Sequence, residues 1–346
     1  MTTIQLFRKV FNNLHVLILL DFILYTKISY AQSEINSDKI LIAIIDTGVD
    51  LKNPELTPFL WINPGETGTD KNGNDKASNG VDDDNNGYID DLHGWNFVAN
   101  NSNIQDFQSH GTHVLSTILN NLKHLGLENK IQFQILKYYH TDNDTHSLIH
   151  ASNEAFRYAL QFQPQLINYS GGGYSFSKTE QQLLSQFSPL RTLIIAASGN
   201  DHNNNDILPF YPASYQLDNV IAVASVSTSS KKNKTKPSSF SNFGKRTVAV
   251  FSEGENQWAF GLNQKKIPLS GTSQSTANLT SFAASILIED SSLNPLDIKD
   301  FLCSHFEPLS SDIKPTYCNR VITIDSLKKI KGKSNIFTEI VSSPKI

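Results

Sequence analysis

ILIAIIDTG, residues 40–48, is the stretch that decides the fold of this chain. Its unbroken apolar run from Ile40 to Ile45 predicts a central parallel strand that is buried on both faces. Asp46 follows this strand directly. Because ligands of open α/β sheets bind outside the carboxyl ends of the strands, Asp46 is a candidate functional residue.

Strand-like and helix-like segments alternate along the rest of the chain. We predict further apolar strands at residues 133–138, 166–169, 193–197, 220–226 and 247–251. We predict helices at residues 111–122, 146–161, 179–187, 273–288 and 295–306. Such alternation is typical of βαβ units. The predicted fold class is therefore α/β in three layers, with a mostly parallel central sheet and helices on both of its faces.

Two further blocks carry side chains that complement Asp46. His110 and Ser273 each open a stretch with helical apolar spacing, in HGTHV (110–114) and SGTS (270–273). A serine hydroxyl is a weak nucleophile that needs a base within hydrogen-bond reach. Histidine suits that role because its pKa lies near the working pH, and a buried aspartate fixes its tautomer. Taken singly, the aspartate could be a turn residue and the serine a helix N-cap.

Two segments that follow predicted strands supply further candidates. AASGN (196–200) ends in Asn200, whose side-chain amide is either a turn residue or a donor to a developing oxyanion. The segment INYSGGG (167–173) is rich in glycine, so a peptide backbone could lie alongside it and pair as an added strand. The small residues concerned are Ser170, Gly171 and Gly172.

In their order and local sequence, these blocks resemble the subtilisin-like serine proteases. That family has its triad in the order Asp, His, Ser, and the likeness covers roughly residues 38–328. The resemblance implies a subtilisin-like fold and a serine endopeptidase that works through an acyl-enzyme. It also implies that Asn200 is the oxyanion donor, that segment 170–172 lines the substrate cleft, and that His113 is structural.

The chain departs from the family pattern at several positions. Gln274 follows the nucleophile where the family usually has methionine, and Ala277 stands where it has proline. Ser252-Glu253 stands where the family tends to have Ala-Pro. Neither of the changes beside the nucleophile removes a catalytic group. Residues 32–45 are too few for a prodomain, so we expect unaided folding, a helper acting in trans, or restrained activity.

An acidic insertion at residues 63–97 is rich in Gly, Asn and Asp and has no apolar period, which predicts a long ordered loop. Its DDDNNGYID segment (82–90) resembles an EF-hand-type calcium loop with glycine at position 6, but His93 replaces the usual glutamate. No cofactor is expected for the chemistry. We predict structural calcium, with an acidic solvated loop as the alternative. The candidate ligands are Asp82, Asp84, Asn86 and Asp90.

The first 31 residues have the layout of a secretory signal peptide. Arg8 and Lys9 precede an apolar stretch at residues 16–25, and Ser29 and Ala31 provide the small residues of a cleavage site. The apolar stretch is shorter than the about 20 residues that span a bilayer. We therefore expect a secreted or periplasmic protein without a stable membrane span.

The remainder of the chain is predicted to form one domain. A peptidase domain at residues 32–330 precedes a tail at residues 331–346. The two cysteines, Cys303 and Cys318, could form a disulfide in an exported protein. The alternative is a pair of buried thiols.

The overall charge limits the classes of partner. A net charge of −4 at pH 7 gives no reason to expect nucleic acid. We expect a protein or peptide substrate, and a folding helper or inhibitor acting in trans. The predicted function is an exported serine endopeptidase, and the alternatives are a restrained peptide-binding module or a narrow-specificity maturation protease. A lipase or esterase is disfavoured because that class has the order Ser, Asp, His and a G-x-S-x-G elbow.

Overall fold

A computed structural model of the protein describes residues 39–142, 144–229, 234–290, 292–306, 308–309, 316–323 and 325–326. The predicted signal peptide at residues 1–31 and the predicted tail at residues 331–346 lie outside these described residues. The described part of the chain contains the whole of the three blocks around Asp46, His110 and Ser273.

Strands and helices alternate along the described chain. The strands are β1 (Ile40–Asp46), β2 (Gly94–Asn96), β3 (Ile131–Lys137), β4 (Leu166–Tyr169), β5 (Leu193–Ala197), β6 (Val220–Ser229), β7 (Lys234–Pro237), β8 (Val250–Glu253), β9 (Gln257–Phe260), β10 (Lys266–Leu269) and β11 (Val321–Ile322). The helices are α1 (His110–Leu125), α2 (Thr145–Phe162), α3 (Lys178–Leu184), α4 (Thr272–Glu289) and α5 (Pro295–Ser304).

One large sheet organises these elements. Its strand order is β11-β8-β6-β5-β4-β1-β3-β2, and all neighbours on this path pair in parallel. Strand β7 pairs antiparallel with β6, and β9 and β10 form a separate antiparallel hairpin. Parallel neighbours need crossover connections. Here helix α1 lies in the crossover from β2 to β3, and helix α3 lies in the crossover from β4 to β5.

Strand β1 shows why the sheet is covered on both faces. Ile42 and Ile44 pack in a core with residues of α1 and α4, whereas Ala43 and Ile45 pack in a second core with residues of α2 and α3. Successive strand residues point to opposite faces, so a strand that is apolar at every position needs a helical layer on each side. The predicted three-layer α/β fold is confirmed.

Helix α4 runs through the interior. Its residues from Thr272 to Leu287 are all buried, although many of them are serine or threonine. The hydroxyls of Thr276 and Thr280 donate to carbonyls one turn earlier, at 2.8 and 2.9 Å. Because these hydroxyls are satisfied within the helix, it can be buried without a polar face. The buried helix carries Ser273 into the domain.

Several elements differ from the sequence prediction. The strand predicted at residues 247–251 begins only at Val250, because the Thr247 N–H and hydroxyl bind the Asp206 carboxylate at 3.1 and 2.8 Å. Strand β2 lies inside the insertion that was predicted as a loop. The hairpin β9–β10 was not predicted, because it is largely exposed and lacks the apolar run that marks the strands of the main sheet.

Two features bear on the cellular setting. Cys303 at the end of α5 and Cys318 before β11 are joined by a disulfide, so the alternative of two thiols is wrong. The bond links the last helix to the last strand, and Arg320 reinforces this link by donating to the Cys303 carbonyl at 3.0 Å. Among the described helices, none is both long and apolar enough to cross a bilayer.

Candidate active site

Asp46 and His110 meet at the carboxyl end of β1. His110 Nδ1 lies 2.7 Å from Asp46 Oδ1, which also accepts the Thr47 N–H at 2.7 Å. A carboxylate only accepts hydrogen bonds, so Nδ1 carries the proton and the neutral imidazole presents Nε2 as an acceptor. The imidazole therefore has the tautomer that a general base requires.

Side chains of the preceding loops hold the first turn of α1 against β1. Ser109, at the N-cap, has a left-handed backbone and makes no capping side-chain bond. Instead, Thr47 Oγ1 accepts the N–H of residue 111 at 2.8 Å, and buried Asp106 accepts the N–H of residue 112 at 3.0 Å. The Thr47 hydroxyl donates to Asp106 at 3.0 Å. These bonds satisfy amides that an α-helix leaves free in its first turn, and they fix the imidazole beside the carboxylate.

The backbones of the strand end and the helix start are in direct contact. A Cβ atom at Gly111 would lie 2.3 Å from the Gly48 carbonyl oxygen. Any other residue at position 111 would separate the two segments. The glycine of the HGTH block is therefore required by the approach of α1 to β1.

The surrounding charges raise the pKa of His110. Burial disfavours the imidazolium, but the attraction and hydrogen bond of Asp46, with a further attraction from Asp106, outweigh it. Asp46 Oδ2 is buried and accepts no hydrogen bond from the described residues. Its negative charge is therefore not offset by another donor and stabilises the imidazolium. The site thus stabilises the protonated form that a general base reaches during reaction.

Ser273 lies in the first turn of α4 and is 6% exposed. Its hydroxyl donates to the Ser170 carbonyl at 2.8 Å, and the Ser170 hydroxyl donates to the Ser273 carbonyl at 3.1 Å. Within the described residues, the Ser273 hydroxyl makes no hydrogen bond to His110. Attack on a substrate therefore requires Oγ to turn toward Nε2, which fits the long serine–histidine bonds of many free enzymes.

The first turns of α1 and α4 contact each other. Gln274, next to Ser273, places Nε2 3.5 Å from Nδ1 of His113, which lies one turn along α1 from His110. His113 is fully buried, and its Nε2 donates to two carbonyls of the β9–β10 hairpin at 3.0 and 3.2 Å. Burial lowers the pKa of His113. This second histidine holds the hairpin against the helix.

Asn200 follows β5 and faces the start of α4. Its Oδ1 accepts the Thr272 N–H at 2.8 Å and the Thr272 hydroxyl at 3.0 Å. These bonds identify the oxygen end of the amide, so Nδ2 is the exposed end, and it donates to none of the described residues. The Ser273 N–H is one of the amides without an intrahelical acceptor. One side-chain donor and one backbone donor beside a hydroxyl are the parts of an oxyanion hole.

The segment after β4 has an open backbone edge. Beyond β4, the next pairing joins Gly173 and Tyr211, with bonds of 2.9 and 2.7 Å. Between them, the backbone groups of residues 170–172 make no hydrogen bond to another backbone group of the described chain. An extended peptide could pair with this edge as an added strand, and it would then pass the hydroxyl of Ser273.

The acidic insertion brings together part of the predicted calcium ligand set. Carboxylate oxygens of Asp82 and Asp84 lie within 4.8 Å of each other and of Glu66, which was not predicted. Asn86 directs its amide nitrogen, rather than its oxygen, at Asp84, at 3.3 Å. Asp90 accepts a backbone N–H of the same loop at 3.0 Å and lies outside this group of carboxylates.

Negative charge accumulates in the insertion. Burial of Glu66, together with the neighbouring Asp91, Asp84 and Asp83, raises the pKa of its carboxyl to about 7. Burial also raises the pKa values of Asp84 and Asp91. Asp91 accepts a hydrogen bond from the Tyr158 hydroxyl of α2. The acidic loop is therefore anchored to the body of the domain through a buried carboxylate.

Sequence reasoning missed Asp106 and Glu66. Asp106 lies four residues before His110, whereas the N-cap position is Ser109, so the usual capping pattern does not reveal its bond to the Thr112 N–H. Glu66 gives no local signal either, because only the folded loop brings it to Asp82 and Asp84.

Comparisons with known proteins give a consistent family. The family model described as the subtilase family, Peptidase S8, matches residues 37–319. Subtilisin-like protease 2 of Plasmodium falciparum is 25% identical over 250 residues, which are 70% of this chain and 16% of that protein. The chain therefore spans a small part of that relative. Thermitase of Thermoactinomyces vulgaris is 29% identical over 246 residues, which are 70% of this chain and 72% of thermitase.

Solved structures share the fold. A chain of the subtilase cytotoxin SubAB assembly has a TM-score of 0.61 at 19% identity, covering 88% of this chain and 93% of its own. A cold-adapted subtilisin-like serine proteinase has a TM-score of 0.58 at 20% identity, covering 81% of this chain and 89% of its own. At these identities the likeness is one of fold.

Proposed function

Because this chain belongs to the subtilase family, we propose that it is a serine endopeptidase that cleaves peptide bonds through an acyl-enzyme. The observation that carries the proposal is the 2.7 Å bond between His110 Nδ1 and Asp46 Oδ1, which leaves Nε2 as the acceptor. In this proposal Ser273 is the nucleophile, His110 the general base and then the acid, and Asp46 the carboxylate that orients the imidazole.

The reaction follows from these roles. Ser273 Oγ attacks the peptide carbonyl carbon as His110 Nε2 takes its proton, and the carbonyl oxygen becomes the oxyanion. Asn200 Nδ2 and the Ser273 N–H donate to that oxyanion. The imidazolium then returns the proton to the leaving amine. Water, activated by the same nitrogen, hydrolyses the acyl-enzyme, so the chemistry needs no cofactor.

The open edge at residues 170–172 supports an extended peptide as the substrate. A peptide paired with this edge would use its backbone for binding, which is independent of its sequence. Such pairing needs several residues of extended chain, which a peptide supplies. A lipid or simple ester would leave the edge unpaired.

We also propose that the enzyme acts outside the cytoplasm, either secreted or in the periplasm. The disulfide between Cys303 and Cys318 supports this setting, because disulfides persist in oxidising compartments. The predicted signal peptide at residues 1–31 lies outside the described residues and supports export by its sequence alone. A folding helper or inhibitor acting in trans remains part of the proposal.

Replacing Asn200 by leucine tests the proposed chemistry. We expect the parent to hydrolyse casein and peptide amides, and Asn200→Leu to lower kcat by about 10²–10³-fold with KM little changed. The reason is that the lost donor binds the oxyanion of the transition state rather than the ground-state substrate. The measurement is steady-state kinetics, with the exposed Asn72→Leu as a control for the same change elsewhere. Full activity of a folded Asn200→Leu variant would contradict the assignment.

A further inference from the structure

A buried lysine lies beside the segment that leads into α1. Lys137, the last residue of β3, is 4% exposed and lies opposite Asp46 in the register of β1 and β3. Because strand residues alternate between faces, its side chain points to the same face as Ile135, which packs in the core with α1. A buried ammonium group is costly unless other groups bind it. The proposed reaction does not use this lysine, so its burial needs another explanation.

The Lys137 ammonium contacts residues 105–107. Its Nζ donates to the Gln105 carbonyl at 2.6 Å and lies 4.8 Å from the centre of the Phe107 ring. Burial lowers the pKa of Lys137, and the attraction of Asp106 opposes this effect. Among the described residues, the amine forms no ion pair with a carboxylate. The amine therefore binds on both sides of Asp106 without pairing directly with it.

Residues 105–107 control the start of α1. Asp106 accepts the N–H and the hydroxyl of Thr112 at 3.0 and 2.6 Å, and these bonds hold the first turn of the helix. His110 is the first residue of that turn. A displacement of the segment would therefore move Asp106, and with it the turn that carries the imidazole.

The contacts of Lys137 have no substitute in the described part of the chain. There the Gln105 carbonyl accepts no other hydrogen bond, so a side chain without a donor at position 137 would leave it unpaired. The Phe107 ring is 63% exposed and is attracted to the amine through its face. One hydrogen bond and one cation–π contact thus join the end of β3 to the segment before α1.

Building on the proposed function, we propose that Lys137 is a positioning residue, which fixes Asp106 through residues 105–107 and thereby sets the orientation of His110. The amine also places a positive charge near Asp106, whose negative charge raises the pKa of His110 together with that of Asp46. Lys137 is buried away from the substrate. Its removal should therefore affect turnover and the titration of His110 more than the binding of a peptide.

Lys137→Met tests this role, because methionine keeps the length of the side chain and removes the donor and the charge. We expect kcat for a peptide amide to fall about tenfold, with KM within about twofold of the parent, since a displaced base slows the reaction without weakening binding. The acid limb of kcat/KM should move to higher pH, because the amine no longer opposes Asp106. Lys266→Met removes an exposed amine 5.1 Å from the centre of the Phe260 ring, and this control should behave like the parent.

The titration of His110 gives a measurement that does not depend on activity. Histidine C–H resonances report the pKa in an NMR titration, and His110→Ala identifies the resonance. We expect the pKa of His110 to be higher in Lys137→Met than in the parent. A parental kcat together with an unchanged pKa of His110 in the folded variant would overturn the role of Lys137. A parent that cleaves no peptide would overturn the proposed function, and the NMR titration would still test the contact.

A second variant covers the case in which Lys137→Met does not fold. Phe107→Ala removes an exposed ring and leaves the lysine in place. Water then reaches the amine and screens its charge from Asp106, so the pKa of His110 should again be higher than in the parent. An unchanged pKa of His110 in Phe107→Ala would overturn the proposal in that case.

A second, independent observation concerns a buried carboxyl group at the start of α3. Glu180 is 5% exposed, and among the described residues it forms no ion pair. Ser177 and Glu180 have the spacing of a capping box, in which the glutamate binds the N-cap N–H. Here the Ser177 N–H donates to the Tyr215 hydroxyl at 3.1 Å instead. The Glu180 side chain is therefore free to point inward.

Tyrosine hydroxyls surround the Glu180 carboxyl group. Tyr215, between β5 and β6, is hydrogen-bonded to it. Tyr138 after β3 and Tyr169 at the end of β4 lie close enough for a charge on Glu180 to raise their pKa values. From α2, the Ser152 hydroxyl interacts with Tyr169. Within the described chain, no cation from these elements faces the carboxyl group, so nothing offsets the burial of a negative charge there.

The position of one proton decides the state of Glu180. The Tyr215 hydroxyl has a single proton, which it donates to the Ser177 carbonyl at 2.9 Å. It accepts the Ser177 N–H on one lone pair, and its second lone pair remains for Glu180. A hydrogen bond between Glu180 and Tyr215 then requires the proton to be on the carboxyl group. The neutral acid, rather than the carboxylate, completes this network.

We infer that Glu180 is a pH-sensitive contact, which holds the first turn of α3 to Tyr215 when it is protonated and is lost when it ionises. Burial raises the pKa of Glu180 from the ordinary value of 4.5 to about 7. The unfolded chain therefore releases this proton at a lower pH than the folded protein does. The contribution of Glu180 to stability is fully present below about pH 4.5, falls as the pH rises to about 7, and stays low above that pH.

Glu180→Gln tests this inference, because glutamine keeps the shape and an N–H donor but does not ionise. We compare the Tm of the parent with that of the variant at each pH, so that the other titrating groups cancel. Relative to Glu180→Gln, the Tm of the parent should fall by about 5 °C between pH 5 and pH 8.5. Glu55→Gln, which changes an exposed carboxyl group, is the control and should follow the parent over this range.

Two results would overturn the role of Glu180. One is a Tm difference between parent and Glu180→Gln that stays constant from pH 5 to pH 8.5. The other applies even when the variant does not fold: a carbon NMR titration of the glutamate carboxyl groups of the parent, in which Glu180 ionises near its ordinary pKa. Neither measurement uses protease activity, so this inference stands or falls separately from the proposed function.

Discussion

Ser273→Ala is expected to lower kcat for peptide hydrolysis by about 10⁶-fold, the usual cost of removing a triad nucleophile. The change deletes Oγ, the proposed nucleophile that forms the acyl-enzyme. The fold should survive, because among the described residues the hydroxyl bonds only to Ser170, at 2.8 Å, and such a bond contributes about 1 kcal/mol. The measurement is kcat on a peptide amide, with thermal melting as the check on folding.

Ser275→Ala is the matched control for this prediction. Ser275 is buried in the same turn region of α4, and its hydroxyl lies 3.5 Å from the Gly271 carbonyl. It takes no part in the proposed chemistry, so activity should stay within a few-fold of the parent. An inactive Ser275→Ala variant together with an active Ser273→Ala variant would show that Ser273 is not the nucleophile and would contradict the assignment.

Asp46→Asn is expected to lower kcat by about 10⁴-fold, because it changes the tautomer of His110. The carboxylate accepts the Nδ1 proton at 2.7 Å, whereas an asparagine amide can donate to Nδ1 and shift the proton to Nε2. An Nε2 that carries a proton cannot accept one from Ser273. The measurement is steady-state kinetics near neutral pH, and activity within tenfold of the parent would contradict the role of Asp46.

The same variant should move the pH dependence in a defined direction. His110 must be neutral to act as a base, so kcat/KM of the parent rises with pH through the pKa of His110. Asp46 raises that pKa above the ordinary value, which is about 6.5. Without the carboxylate, burial still lowers the pKa of His110, and the main interaction that raises it is gone. The acid limb of Asp46→Asn should therefore lie at lower pH than that of the parent, and an unchanged limb would contradict this electrostatic account.

The sequence predicts the sheet well where burial leaves a strong signal. The run from Ile40 to Ile45 is apolar at every position because both faces of β1 are covered, and this makes the strand and the position of Asp46 evident. The helices that begin at His110 and Thr272 are predictable for the same reason, since their apolar residues recur with helical spacing. The hairpin β9–β10 has no such run, and tertiary contacts with His113 hold it in place.

The candidate site is predictable where its parts are short local blocks. Asp46, His110, Asn200 and Ser273 each lie beside small residues at the end of a strand or the start of a helix. The resemblance to subtilisin-like proteases, which have their triad in the order Asp, His, Ser, predicts that these residues act together. The structure adds Asp106, which ties the first turn of α1 to the end of β1.

Other parts of the account depend on contacts between distant segments. Glu66 reaches Asp82 and Asp84 only when the insertion folds. A sequence pattern confined to residues 82–90 therefore cannot include Glu66, and it names Asn86 and Asp90 instead. The Phe210 ring lies against Gly172, which follows β4, and against Gly199, which follows β5, and its neighbours in sequence do not reveal this. In both cases the spacing along the chain carries no information about the distance in space.

Labelling with a fluorophosphonate is the most direct test of the central claim that Asp46, His110 and Ser273 act as one unit. The probe reacts only with a serine that an adjacent base activates. We expect the purified chain from residue 32 to be labelled, the modified peptide to contain Ser273, and the folded Ser273→Ala and His110→Ala variants to remain unlabelled. Labelling of a different residue, or equal labelling of the folded His110→Ala variant, would contradict the account.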